Sequence, residues 1–261
     1  MLSARQLLVY GLIAGFVAGL LAFGVARTVG EPSVNAAIAV EEGAPSTTHS
    51  HTSSPAAPHD HGDEDELFSR GTQSTWGLLT ATQVFGTALG GLAGLMSALA
   101  MGRMGRLPPE GTTAVTVAVG FVAAYAVPFA KYPPNPPAVG DPDTIAERTT
   151  TFFGFIALSV VVAVAAVYLA TYLSRRHGGF VGVAAGSAAY GVVMLVAARL
   201  MPTYHEVPHD FPATTLYDFR FASFATQLTL WAGIAVVLGL LLVRATRTAR
   251  TSVVPRELQP A

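Results

Sequence analysis

Six stretches of this chain contain no Asp, Glu, Lys or Arg: residues 6–26, 71–102, 111–130, 149–174, 177–198 and 221–243. Each holds about 18 or more mostly apolar residues, and about 20 residues of α-helix cross the roughly 30 Å hydrocarbon layer of a bilayer. In lipid every backbone N–H and C=O must be satisfied within the segment, so runs of this length read as membrane-spanning helices. Only 12% of the 261 residues are charged and 51% are hydrophobic, a charge content about half that of an ordinary soluble domain. The expectation is an all-α fold, a polytopic transmembrane bundle of about six helices, with residues 1–261 forming one integral membrane domain. The first run follows Arg5 and precedes small residues, as in a secretory leader. Its apolar stretch exceeds the usual ~7–15 residues of such leaders, so a retained helix is expected.

Charges then sort the connecting segments. With the N-terminus inside, one face carries Arg5, Arg103, Arg106, Arg175, Arg176, Arg244, Arg247, Arg250 and Arg256 against only Glu110 and Glu257. The other face carries Arg27, Arg70, Lys131, Arg148, Arg199 and Arg220 with fourteen of the sixteen acids. Short loops rich in Lys and Arg stay in the cytoplasm. The chain is therefore expected to be a multi-pass membrane protein with both termini inside and a basic cytoplasmic tail at 244–261. There is no Cys, which removes thiolate metal sites and cysteine nucleophiles.

The expected outer segment, residues 27–70, is rich in Ser, Thr, Pro, Ala and acids, a composition that builds no core and reads as a disordered loop. It holds His49, His51, His59 and His61 as two His-x-His pairs, with Asp60 and Asp63 alongside. Alternate residues of an extended chain point the same way, so each pair can offer two imidazoles to one ion. Imidazole with carboxylate suits cobalt, nickel, zinc or copper(II). The bland alternative is a solvated acidic loop. A second candidate lies at 203–212, "TYHEVPHDFP", where His205, Glu206 and His209 spell the His-Glu-x-x-His of zinc peptidases. That chemistry needs both histidines on one helix face, and Pro208 between them steers Val207 away from helical angles. A peptidase is excluded on that ground. What stays open is an ordered loop or a second metal-touching one.

Three runs carry glycines four residues apart: Gly11, Gly15, Gly19; Gly86, Gly90, Gly94; and Gly178, Gly182, Gly186. Such faces bring helix backbones together, or line a thin path for a solute. Gln83 and Gln227 are amides at membrane depth and serve either as pathway residues or as helix-to-helix hydrogen-bonding groups. No phosphate loop, no mid-helix histidine for haem and no paired aspartates at depth appear, so no enzyme is expected.

Three stretches together resemble the CbtA family, probable cobalt transporter subunits: "DEDELFSRGTQSTWGLLT", "PFAKYPPNPPAVGDPDTIAERT" and "VPHDFPATTLYDFRFASFATQLTLWAG". The matching positions are Ser69, Arg70 and Gln73; Lys131, Tyr132, Pro133, Pro134, Asn135 and Arg148; and Phe211, Pro212, Phe219, Arg220 and Gln227. The resemblance implies five membrane segments, one fewer than the six runs, and a small histidine-bearing companion subunit, CbtB, in cobalamin-linked cobalt uptake. It implies a transient divalent ion, cobalt or nickel, in place of a tightly bound cofactor. The bilayer is the other partner, a homo-oligomer is compatible with the reading, and nothing points to nucleic acid. Arg70, Arg148 and Arg220 sit at outer helix ends, against the charge rule, and are expected to pair with nearby acids, Arg220 with Asp218.

Overall fold

The computed structural model describes residues 3–43, 69–105, 107–137 and 139–251. Six of its helices are long and apolar enough to cross a membrane: α1 (Ala4–Glu42), α2 (Arg70–Ala100), α3 (Pro109–Lys131), α4 (Pro142–His177), α5 (Gly179–Leu200) and α6 (Ala213–Thr248). Six spans, not five, are thus present, and no strand occurs among the described residues. Side-chain bonds between Arg70 and Glu31, Lys131 and Thr203, and Arg220 and Asn135 gather these helix ends and loops at one end of the bundle. We call this the motif end; the opposite end, with Arg5, Arg103, Arg175 and Arg244, is the basic end.

The first helix corrects the expected loop boundary. It begins at a capping box in which the Gln6 N–H donates to Ser3 Oγ at 3.2 Å and the Ser3 N–H donates to Gln6 Oε1 at 2.9 Å. It then runs without a break past residue 27, through a π segment Ala26–Gly30 and the helix Glu31–Gly43. Residues 27–43 are therefore helix and not loop, about 25 Å of it at 1.5 Å per residue. The charges that mark an end in the sequence do not end the helix, because Glu31 is paired with Arg70 and only 7% exposed. Pro32 supplies no N–H to the ladder, and the widened π turn just before it absorbs that loss. The same device recurs in α3, where the π segment Val122–Ala126 precedes Pro128. A third π segment, Gln73–Gly77, opens α2 after an N-cap in which Ser69 Oγ accepts from the Thr72 N–H. At the other end of the chain, helix continues to Thr251, so the basic tail begins as a prolongation of α6.

The glycine faces of α1 and α2 meet each other. A methyl group placed on Gly86 would lie 2.8 Å from the Gly15 carbonyl oxygen, and one on Gly15 would lie 3.0 Å from the Gly90 Cα. Gly11 faces Gly90 and Gly94 in the same way. The faces are filled by backbone, which settles them as packing. Onto this pair α6 lays a row one turn apart, Leu230, Ile234, Leu238 and Leu242, all buried, with Ala18, Ala22, Leu7 and Ala14 of α1 against them. The half of α3 nearer the basic end, Pro109–Phe121, packs on α6 and α2 through Thr112, Thr113 and Val117. Gly120 gives room to the Trp231 ring, which lies edge-on to Phe121 at 6.1 Å.

The fourth and fifth helices, α4 and α5, form a separate hairpin. Gly182 and Gly186 of α5 lie against Ser174, Ala170 and Ala166 of α4, and the Ser159 and Tyr190 hydroxyls bond at 2.7 Å. Gly178 does not belong to that seam. Its φ of 90° makes it the turn between α4 and α5, a conformation that favours glycine.

Candidate functional site at the motif end

The connection between α3 and α4 starts with the extended run Pro133–Pro136, which its three prolines and the following Pro137 keep out of helix. It docks on the connection between α5 and α6. Lys131 Nζ donates to Thr203 Oγ1 at 2.6 Å and to the Met201 carbonyl at 3.3 Å, and the Tyr132 hydroxyl donates to the Pro202 carbonyl at 2.7 Å. Burial, and then the nearby Tyr204 phenol, push the Tyr132 phenol above its usual range, which keeps it a neutral donor. Tyr132 also packs edge-on to Phe155 of α4, with ring centroids 5.7 Å apart.

Glu206 is the hub of this end. Its Oε1 accepts from Thr144 Oγ1 at 2.6 Å, and its Oε2 accepts from the Asp141 N–H at 3.1 Å and pairs with Arg148 Nη1 at 2.7 Å. The Thr144 hydroxyl, chiefly, holds its carboxyl below the usual range; the Asp141 N–H and the Arg148 charge add to this against partial burial. Arg148 Nη2 also donates to the Asp141 carbonyl at 3.2 Å, while its Nε is buried without a partner among the described residues. Gly140, at φ 141°, lies beneath this guanidinium, where a methyl group would come within 3.0 Å of Nη1. Glu147 and Thr151 of α4 both bond the Tyr204 hydroxyl at 3.1 Å.

The His-Glu-x-x-His segment is not helical: residues 202–208 have no regular structure, and a turn at 209–210 follows. His205 and His209 are exposed, and Glu206 is committed to Arg148 and Thr144. No group of three or more His, Asp or Glu side chains that could hold a metal occurs among the described residues. His49, His51, His59, His61, Asp60 and Asp63 lie outside those residues.

The three expected arginine pairs divide. Arg70 Nη2 bonds Glu31 Oε2 at 2.6 Å and Asn35 Oδ1 at 3.1 Å, tying α2 to the prolonged α1. Arg148 pairs with Glu206. Arg220 does not pair with Asp218, which is exposed. It turns instead to the proline run, donating through Nη2 to Asn135 Oδ1 at 3.1 Å and through Nε to the Pro134 carbonyl at 3.3 Å. Adjacent helix positions diverge by about 100°, so a neighbour two residues away points elsewhere, which explains the correction.

A cleft of about 520 Å³ opens between the tip of α1, at Val40 and Glu41, and the two loops, with Asp141, Arg148, Asp210 and the buried Phe211 in its wall. Pro212 closes the loop by accepting, through its carbonyl, the Leu216 N–H at 3.2 Å as α6 begins. Deeper in, Gln83 of α2 faces α1: with its amide turned so that N meets an acceptor and O a donor, Nε2 donates to the Phe16 carbonyl at 3.1 Å and Oε1 accepts from the Leu20 N–H at 2.8 Å. Gln227 is half-buried on the α6 face that also presents Phe224 and Trp231.

Glu31, Thr144 and Tyr204 were not singled out by the sequence. Only Glu31 left a signal, as an acid at helical distance from the first run.

Six apolar helices, with polar loops sewn together at one end, define a multi-pass membrane protein. The family model for CbtA, the probable cobalt transporter subunit, matches residues 4–243, and the chain belongs to that family. No curated protein and no solved structure matches it.

Proposed function

We propose that this chain is the membrane-embedded subunit of a cobalt uptake system in a bacterial cytoplasmic membrane. The family match across all six helices carries this reading. The motif end faces outward and both termini lie inside, as the arginine distribution supports. His49, His51, His59, His61, Asp60 and Asp63 collect the divalent ion, cobalt or nickel, as exchangeable ligands. His205 and His209, exposed beside the cleft, offer further imidazoles on the ion's way in. Glu206 holds the loops in place and does not ligate. A small histidine-bearing membrane subunit of the CbtB kind completes the system, and the chain itself performs no enzymatic step.

One observation favours a second reading, in which the chain docks its companion without conducting. The glycine faces of α1 and α2 are in backbone contact and leave no lining for a solute. Cobalt uptake into proteoliposomes holding the purified chain, with and without the companion, separates the two. Accumulation that needs this chain supports transport; uptake by the companion alone leaves the docking role.

A further inference from the structure

The six helices are held together by two unlike kinds of contact. Helices α1, α2, α6 and the inner half of α3 share one core, with Ile234, Leu238 and Thr113 fully buried in it. The glycine contacts between α1 and α2 leave no slack for sliding. The α4–α5 hairpin has its own seam at Gly182 and Gly186. It meets the rest through the outer half of α3, Val122–Lys131, and through the motif-end loops, at Lys131, Tyr132 and Glu206. In its inner half α3 turns toward α6 and α2, and Val115 is 41% exposed; Tyr172, at the inner end of α4, is 53% exposed. A helix pair bonded to its neighbours at one end and facing solvent or lipid at the other is a lever. The π turn Val122–Ala126, Pro128 and the positive φ of Gly140 lie at its attached end, where backbone can take up a rotation.

We infer that the α4–α5 hairpin is the moving arm of the protein, pivoting on the motif end against a rigid group of α1, α2, α3 and α6. This rests on the transport reading only for its purpose; the motion is testable without it. The chain has no native cysteine, so labels can be placed freely. Val115→Cys/Tyr172→Cys reports arm against group, each residue lying 17 positions inward of Tyr132 and Phe155, which touch. Val115→Cys/Val236→Cys reports within the group. Nitroxide distance distributions of the full chain in lipid nanodiscs are expected to be about twofold wider for the first pair than for the second. Bridging the first pair with a bifunctional thiol reagent is expected to lower cobalt uptake about tenfold, with singly modified variants unaffected. Equal widths overturn the arm, whatever the uptake. A wide distribution with no uptake by the unmodified protein and its companion leaves the arm standing and removes the transport reading. Should the first pair fold poorly, Ala118→Cys/Leu169→Cys asks the same question at exposed positions.

Discussion

The α1–α2 seam and the motif-end loops hold the molecule by opposite means. The seam works by having no side chains: glycine meets glycine backbone, and its tolerance for change is set by hard contact. The loops work through side chains, with Glu206, Arg148, Lys131 and Arg220 each bonding across sequence separations of more than 50 residues. A steric seam fails abruptly when anything is added, whereas a polar network loosens by degrees. The seam therefore carries stability, and the loops carry the adjustable part.

The largest expected effect breaks the seam. Gly90→Leu forces a side chain into the Gly15 backbone and should cost about 3 kcal/mol or more, read as loss of the folded, detergent-stable species. Gly191→Leu, on the open face of α5 with nothing within 4 Å, should be close to neutral in the same assay. A similar loss from both would erase the contrast.

Next comes the network. Arg148→Met should expose the loop at 201–212 to protease while leaving the six helices formed, checked by limited proteolysis alongside circular dichroism. The pH dependence follows from Glu206, whose folded carboxyl is held below its ordinary range. Its contribution is fully present above the unfolded value of about 4.3 and is lost as pH falls through the lower folded value. Loop protection should hold down to about that pH and fail below it. In Glu206→Gln the step should vanish.

A smaller effect is expected at Gln83, which couples the seam to a polar contact. Gln83→Leu removes two bonds to the α1 backbone and should cost about 1 kcal/mol, since interhelical hydrogen bonds in membranes average roughly 0.6 and reach about 1.7 kcal/mol. The least effect on folding belongs to His205→Ala and His209→Ala, both exposed. Thermal stability should be unchanged while uptake at low cobalt falls about twofold. Replacing His49, His51, His59 and His61 together should remove most cobalt binding by the full chain in calorimetry, and in the unaltered chain that binding should fade below about pH 6.5, the ordinary imidazole value.

How much of this the sequence discloses depends on the kind of contact. The spans were legible because lipid imposes a length and forbids charge; the Gly11–Gly19 and Gly86–Gly94 spacing marked two bare helix faces but not that they meet each other. The end of α1 was not, because a buried Glu31 neutralised by an arginine 39 residues away does not stop a helix. The same remoteness hid the partner of Arg220, since Asn135 is 85 residues off while Asp218 is two residues away. Pro208 announced that His205 and His209 share no helix, but that Glu206 would be a loop hub required knowing that Thr144 and Arg148 fold over it.

A chain that takes part in moving cobalt must support uptake outside the cell. Radiolabelled cobalt uptake should be measured in proteoliposomes containing the purified chain and its small companion, against vesicles with the companion alone. Saturable accumulation that requires this chain and declines in the variant lacking the four outer-segment histidines is the predicted result. Equal accumulation in both vesicle types, with the chain shown folded by circular dichroism, would contradict it.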